Sequence, residues 1–150
     1  MNTHKKILLV EDNPGDAELI VRVLRRHGVT NHVDLVTDGA QALDYLFRRG
    51  AYAEQREDPV VVVLDLKLPK VDGFEILSQI RAADRTRLLP VVILTSSDHE
   101  DDVVRGYSMG ANSYVRKPVD FGEFARTIEQ LGLYWLLLNE NPFACRGQAA

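Results

Sequence analysis

Charged and hydroxyl side chains end or directly follow four apolar runs of this sequence. Glu11 and Asp12 follow the first run, Asp65 follows a second, Thr95 ends a third, and Lys117 follows a fourth. If the runs are parallel strands, their carboxyl ends meet at one edge of a sheet. Three carboxylates gathered there would repel one another and raise each other's pKa unless a cation neutralised them. Oxygen ligands in that number suit Mg²⁺. The pattern therefore predicts a Mg²⁺ site beside a lysine, which is suited to binding a phosphoryl group.

The apolar runs themselves predict the fold. They have the length of strands and lie at 7–10, 33–36, 60–64, 91–95 and 113–116. Two are apolar throughout and a third is apolar up to its final Thr95, as expected of strands covered on both faces in a parallel sheet. Stretches with helical spacing follow Asp16, Gly39 and Gly73, so strands and helices alternate. This alternation is typical of a doubly wound α/β fold with right-handed crossovers. The polar segment 48–59 is predicted to be a surface loop.

Composition narrows the function classes. A chain of 150 residues with 45% hydrophobic content can form one good core, so we expect a single domain. The net charge of -4 and the absence of a long Lys/Arg run argue against nucleic-acid binding. Cys145 is the one cysteine and has no intramolecular partner, which favours a reducing compartment. The apolar stretch near the start is too short for a signal peptide or a membrane span, so we expect a cytoplasmic protein.

Each of these features has a simpler structural explanation when it is taken alone. The stretch "VEDN" could be a solvated turn at a helix start, Lys117 a surface lysine, and Thr95 a hydrogen-bonded strand hydroxyl. The order of the strand exits makes a chance combination of all of them improbable. We therefore treat the set as one site.

Four segments resemble the receiver domain of two-component response regulators: "ILLVEDNP", "VVLDLKLPKVDGFEIL", "VVILTSS" and "GANSYVRKPVD". The resemblance spans roughly residues 5–138. It implies an α/β, flavodoxin-like, doubly wound sheet of five parallel strands in the order 2-1-3-4-5, with five helices.

The resemblance also implies roles for the acidic residues. Asp65 would accept a phosphoryl group from a phosphohistidine on a sensor histidine kinase. Asp12, Asp65 and the backbone carbonyl of Lys67 would ligate Mg²⁺, and Glu11 would act through water. The chain would catalyse only its own phosphotransfer and slow autodephosphorylation, and would otherwise not be an enzyme.

The remaining motif positions are expected to read out phosphorylation. By the resemblance, Lys117 binds a phosphoryl oxygen, and the Lys117–Pro118 bond is cis. The Thr95 hydroxyl moves to the new phosphoryl group and the Tyr114 ring moves into the space it leaves, which shifts an existing equilibrium. The other interpretation of Tyr114, a half-buried strand aromatic, stays open.

Two positions flank the route of an attacking water in this family, and here they are Lys67 and Ser97. A long cation could occlude the water or pair with a phosphoryl oxygen, and a serine offers no carboxylate to orient the water. We therefore expect slow autodephosphorylation.

Three other function classes fit the sequence less well. Phosphohydrolases with an aspartate nucleophile usually carry a second aspartate two residues later as general acid, where this chain has Lys67. A phosphate-independent adaptor would normally lack Asp65 or Lys117, and both are present. The stretch "VEDNPGD" has one glycine, so a dinucleotide site is weakly supported.

Two departures from the commonest receiver pattern are the long 48–59 loop and an unusually apolar last helix. Both resemble phytochrome-associated response regulators, which implies a phytochrome-like kinase as partner. We expect one receiver domain over 1–150, with a core of about 5–138, a short tail at 139–150 and no output domain. Output would then be a protein contact or transfer to a downstream phosphotransfer protein.

The apolar last helix predicts a homodimer. One set of side chains at helical spacing is expected to face the core: Phe121, Phe124, Ala125, Ile128, Leu131 and Trp135. A second set would remain exposed and pair with another copy across the fourth and fifth helices and the fifth strand: Leu133, Tyr134, Leu136 and Leu137. In the alternative, the last turns fold back under Pro142 and Phe143.

Overall fold

The computed structural model describes residues 6–26, 33–55, 57–140 and 142. The five strands are β1 (Ile7–Val10), β2 (Val33–Val36), β3 (Val61–Leu64), β4 (Val91–Thr95) and β5 (Ser113–Arg116). The five α-helices are α1 (Pro14–Arg26), α2 (Gly39–Phe47), α3 (Gly73–Ala82), α4 (Glu100–Ser108) and α5 (Phe121–Leu133). None of the helices in the described ranges is both long and apolar enough to cross a membrane.

The strands form one parallel sheet in the order β2-β1-β3-β4-β5. In the register of β1, Ile7 lies opposite Val33 on one side and Val61 on the other. The predicted flavodoxin-like fold and strand order are confirmed. The chain reverses direction across the sheet beside β1, so the ends of β1 and β3 are the expected place for a site.

Apolar side chains on both faces explain why the central strands are continuously hydrophobic. Along β1, Leu8 and Val10 pack with α2 and α3, while Ile7 and Leu9 pack with α1 and α5. Strands β3 and β4 alternate in the same way. Because successive strand residues point to opposite faces, two separate cores hold the sheet rigid between them.

Polar caps begin the helices that follow the functional strands. The Asn13 side chain accepts from the Asp16 N–H at 3.0 Å, and Pro14 occupies the first position of α1. Asp72 caps α3 through the Glu75 N–H, and Asp120 caps α5 through the Glu123 N–H. Each of these hydrogen bonds sets the residue at which the loop ends and the helix begins.

The last helix ends in a turn that changes which leucine is buried. Residues Tyr134–Leu138 form a π-helical turn, in which the Asn139 N–H donates to the Tyr134 carbonyl at 2.8 Å. A π turn holds more residues than an α turn, so it returns Leu136 to the sheet side of the helix. Leu136 is fully buried. Its predicted place on the exposed dimer face was therefore wrong.

The other predicted members of the exposed set lie at the surface. The exposed fractions are 37% for Leu133, 49% for Tyr134 and 63% for Leu137. Phe121 was expected in the core but is 65% exposed. It is the first residue of α5, where the helix begins at the surface.

In its described residues, the 48–59 loop is mostly exposed and contains a short 3₁₀ turn, Gly50–Tyr52. Its carboxylate Asp58 accepts hydrogen bonds from Arg85 at 2.7 Å and Arg48 at 3.3 Å, which tie the loop to the segment after α3. The predictions about Cys145, Phe143 and most of the 139–150 tail lie outside the described residues.

Candidate functional site

Backbone hydrogen bonds continue past the strand ends and bring two carboxylates together. The Glu11 N–H donates to the Val36 carbonyl and the Asp65 N–H donates to the Val10 carbonyl, each at 3.1 Å. Glu11 and Asp65 are both buried, with 1% and 8% of their surface exposed. The parallel register thus places both carboxylates at adjacent positions of the same edge.

Three carboxylate groups could hold a metal ion at this edge. One oxygen from each of Glu11, Asp12 and Asp65 lies within 4.8 Å of the others. Burial raises the pKa of Glu11 to about 7, against the lowering effect of its hydrogen bond from Lys117. An all-oxygen donor set with one exposed member, Asp12, suits a hard divalent cation that keeps part of its water shell.

Lys117 carries a buried positive charge into this group. Its ammonium nitrogen lies 2.6 Å from Glu11 Oε1, 2.9 Å from Asp16 Oδ2 and 3.1 Å from Asp65 Oδ2. Burial acts to lower the pKa of Lys117, but the hydrogen bonds and charges of these carboxylates raise it overall. The Lys117 backbone N–H also donates to the Thr95 carbonyl at 2.7 Å. The lysine is therefore charged and fixed at both ends.

The Lys117–Pro118 bond is not cis, because the described residues contain no cis peptide bond. The prediction of a cis bond was wrong. The trans isomer is favoured by about 0.5–1 kcal/mol for an X–Pro bond. The long lysine side chain reaches all three carboxylates from the trans backbone.

The turn after β3 orients the Asp65 side chain. The Lys67 N–H lies 3.4 Å from Asp65 Oδ1, a long hydrogen bond, and the Lys67 side chain is exposed. The Gly73 N–H donates to the Leu66 carbonyl at 2.9 Å. A Cβ at Gly73 would lie 2.5 Å from the Asp65 carbonyl oxygen, so α3 can begin this close only with glycine there.

Thr95 and Tyr114 lie on the neighbouring strands β4 and β5. Ser97, two residues after Thr95, connects them because it contacts Tyr114. Thr95 is fully buried. The Tyr114 hydroxyl donates to the Ser97 carbonyl at 3.0 Å, and burial raises the pKa of Tyr114. A Cβ at Gly106 would lie 3.2 Å from the Tyr114 ring, so α4 covers that ring at the position of its glycine. Tyr114 is thus half-buried against α4, directed at the loop that follows Thr95.

The structure adds two residues that the sequence reasoning missed. Asp16 contacts Lys117, and Asp102 on α4 accepts a 2.6 Å hydrogen bond from the buried Ser97 hydroxyl. A carboxylate in the first turn of a helix is explained by the helix dipole alone. Neither residue therefore stood out in the sequence.

The comparisons identify the family that carries this arrangement. The family model for the response regulator receiver domain matches residues 7–129. The chain belongs to the response regulator receiver family. Receiver domains are phosphorylated by histidine kinases in two-component signalling.

Three relatives illustrate the similarity of this receiver. The probable methanogenesis regulatory protein FilR2 of Methanothrix harundinacea is 48% identical over 91% of this chain and 86% of its own length. The phosphorylated cyanobacterial phytochrome response regulator RcpA matches with a TM-score of 0.90 and 36% identity, covering 93% of this chain and 99% of RcpA. The Mn²⁺-bound form of Rcp1, a response regulator of Synechocystis sp., matches with a TM-score of 0.87 and 34% identity over 92% and 99%. The resemblance to phytochrome response regulators is confirmed.

Proposed function

We propose that this receiver is a cytoplasmic response regulator that accepts a phosphoryl group on Asp65 from a sensor histidine kinase, in a reaction that depends on Mg²⁺. The observation that carries the proposal is the position of the Lys117 ammonium, 3.1 Å from Asp65 Oδ2, beside the three carboxylates able to hold a cation. The nucleophile, the cation ligands and the fixed positive charge that phosphoryl transfer needs thus lie together.

The transfer exchanges one bond to phosphorus for another. An Asp65 carboxylate oxygen attacks the phosphorus of a phosphohistidine, the P–N bond breaks, and the imidazole nitrogen keeps its electron pair and takes a proton. Lys117 stabilises the charge on the transferring oxygens without moving far, because it is already held at the site. The 8% exposure of Asp65 keeps its conformational freedom small, so positioning supplies much of the catalysis.

The residues present fit a divalent cation. Asp12, Asp65 and the backbone carbonyl of Lys67 would be its direct ligands, with Glu11 acting through water. When bound, Mg²⁺ neutralises the carboxylates and the incoming phosphoryl oxygens. The Mn²⁺-bound form of Rcp1 supports a divalent metal in a related protein.

Thr95 and Tyr114 are the proposed readout. The Tyr114 hydroxyl already bonds the loop that carries Ser97, so a move of the Thr95 hydroxyl toward the phosphoryl group would alter the same loop. The structure of phosphorylated RcpA supports a phytochrome-like kinase as the source of the phosphoryl group. We take the output to be a protein contact or transfer to a downstream phosphotransfer protein.

A homodimer is the second part of the proposal. Leu133, Tyr134, Leu137 and Leu138 form the exposed C-terminal patch, with Leu138 72% exposed. An apolar group of this kind at the surface is a candidate protein contact.

Acetyl phosphate provides the direct test of Asp65, because it is a small phosphoryl donor that requires no kinase. With Mg²⁺, the wild-type protein is expected to gain one phosphoryl group, seen as a single mass increment in intact-protein mass spectrometry. Asp65→Asn should gain none, and Asp58→Asn, in the surface loop, should be labelled like the wild type. Acid-labile labelling of Asp65→Asn at the wild-type level would overturn the assignment.

A further inference from the structure

The Lys117 ammonium is surrounded by three carboxylates. Among the described residues, these are its only salt-bridge partners. An ammonium has three N–H donors, and the oxygens of Glu11, Asp16 and Asp65 lie within 3.1 Å of it. All three donors therefore have an acceptor. Any new partner of Lys117, such as a phosphoryl oxygen, must replace one of these oxygens.

The three carboxylates that contact Lys117 differ in whether they belong to the candidate metal site. Glu11 and Asp65 are members of the three-carboxylate group whose oxygens converge within 4.8 Å, and Asp16 is not. A phosphoryl group on Asp65 would also take the place of the oxygen that now faces Lys117. Asp16 is thus the one partner that neither the cation nor the phosphoryl group displaces.

Asp16 is itself held firmly by the start of α1. Its N–H donates to the Asn13 side chain at 3.0 Å, and the next residue, Ala17, is buried in the core. The Asp16 side chain is only 30% exposed, so its pairing with Lys117 is partly shielded from water. Because Asp16 is held in place on α1, it can hold the side chain of Lys117, the residue that follows β5.

Resting on the proposed function, we propose that Asp16 is a positioning residue: it holds the Lys117 ammonium in place when the hydrated cation engages Glu11 and the phosphoryl group occupies Asp65. The residue does not touch the transferring group. It acts through Lys117, by keeping the phosphoryl-binding N–H directed at Asp65. This role separates Asp16 from the acidic residues of the metal site.

The test compares Asp16→Asn with Asp16→Ala. Both remove the charge, but asparagine keeps an oxygen that can accept from Lys117. The probe is beryllofluoride (BeF₃⁻) with Mg²⁺, a tetrahedral phosphoryl analogue. We expect Asp16→Ala to bind it about tenfold more weakly, the scale of one hydrogen bond to a charged group, and Asp16→Asn to stay within about threefold of wild type. Mg²⁺ affinity, measured by calorimetry, should change less than about threefold in both.

A direct view of the lysine comes from NMR of protein labelled with ¹⁵N-lysine. The slowly exchanging Lys117 ammonium signal, assigned by its loss in Lys117→Arg, should be lost to solvent exchange in Asp16→Ala and retained in Asp16→Asn. Glu18→Gln, an exposed charge change on the same helix, is the control and should match wild type in every measurement.

Equal BeF₃⁻ affinity in the two Asp16 variants, or an unchanged Lys117 signal in Asp16→Ala, would overturn the positioning role. If the wild type bound neither Mg²⁺ nor BeF₃⁻, the proposed phosphoacceptor function would fail instead. The Lys117 signal in metal-free protein would still report whether Asp16 holds the lysine. The two failures are therefore distinguishable.

Discussion

A single lysine pairs with three carboxylates at the carboxyl edge of the sheet. Lys117 is 9% exposed and contacts three carboxylates, of which Glu11 is nearly inaccessible to water. Removing one partner of a buried ionic group is costly because the remaining charges have neither water nor a counterion. The metal-free protein should therefore depend on Lys117 for stability as well as for phosphoryl binding.

Lys117→Ala tests this dependence. Without Mg²⁺ we expect it to lose about 3 kcal/mol of unfolding free energy, because three carboxylates are left unpaired. Mg²⁺ should restore much of the loss, since a ligand at 100 times its Kd adds about 2.7 kcal/mol. Urea unfolding with and without Mg²⁺ measures both. Phosphorylation, where it still occurs, should no longer produce the conformational change expected of the wild type, and NMR spectra of the two phosphorylated proteins measure this difference.

Lys70→Ala is the matched control, because that lysine is exposed and pairs with Asp38 at 3.4 Å. It should change stability by less than about 1 kcal/mol. We assign phosphoryl binding to Lys117 and metal binding to the carboxylates. Loss of Mg²⁺ binding in Lys117→Ala would contradict this assignment.

Lys67 is the residue expected to prolong the aspartyl phosphate. Its side chain is exposed, whereas the Ser97 hydroxyl is occupied by Asp102, so a substitution at 67 disturbs less. Lys67→Asn should speed autodephosphorylation about tenfold, because it opens the route for the attacking water. This corresponds to a decrease of about 1.4 kcal/mol in the activation free energy of hydrolysis. The decay of ³²P-labelled protein after donor removal measures the rate. Combining it with Ser97→Glu, which supplies a carboxylate, should speed the loss further.

Lys70→Asn provides the control for the Lys67 measurement. Lys70 lies three residues on and has a positive φ of 69°, a conformation that asparagine tolerates well. Its decay should match wild type. A Lys67→Asn, Ser97→Glu protein that kept its phosphate as long as wild type would remove the explanation.

Helices differ in how they are attached to the sheet. Helix α1 buries five residues, whereas α4 buries only Gly106. The contacts of α4 include the Ser97–Asp102 hydrogen bond and the Arg105 guanidinium, which lies 4.1 Å from the Phe74 ring centroid. An element held by few apolar contacts opens at low cost. Because α4 also covers Tyr114, it is the helix best placed to respond to a change at Thr95.

Because the π turn after α5 buries Leu136 and exposes Leu137, substitutions at these two adjacent residues should differ in their effect on stability. Leu136→Ala should cost about 2–5 kcal/mol, because it leaves a cavity against the sheet. Leu137→Ala should cost less than about 1 kcal/mol, because that side chain is 63% exposed. Urea unfolding monitored by far-ultraviolet circular dichroism measures both. Equal costs would mean that the turn after Leu133 does not bury Leu136.

At the scale of the whole molecule, the exposed C-terminal patch is the candidate contact between two copies. Burying a leucine contributes roughly 1.5–3 kcal/mol before the costs of association. Leu133→Glu with Leu137→Glu should therefore give a folded monomer that still accepts phosphate at Asp65. Sedimentation equilibrium at rising concentration, with and without acetyl phosphate, measures the change.

Leu35→Glu is the control for that experiment. Leu35 is 42% exposed but lies on β2, at the opposite edge of the sheet from β5. It should leave the oligomeric state unchanged. A wild-type protein that stayed monomeric at high micromolar concentration, phosphorylated or not, would exclude the dimer.

The sequence alone determined the sheet and the acidic part of the site. Continuous apolar runs that alternate with helices are typical of a parallel sheet covered on both faces, and parallel strands bring their carboxyl ends to one edge. The sequence therefore predicts that Glu11, Asp12, Asp65 and Lys117 lie together, as they do in the structure. Local periodicity was sufficient because each of these residues lies within two positions of the end of a strand.

The tertiary structure decided what depends on contacts between distant segments. Asp16 could be recognised as a lysine partner only when α1 and β5 were placed side by side, since the two residues are 101 positions apart. Leu136 was misplaced because the α-helical period does not hold through a π turn, and the burial that favours such a turn comes from the sheet beneath it.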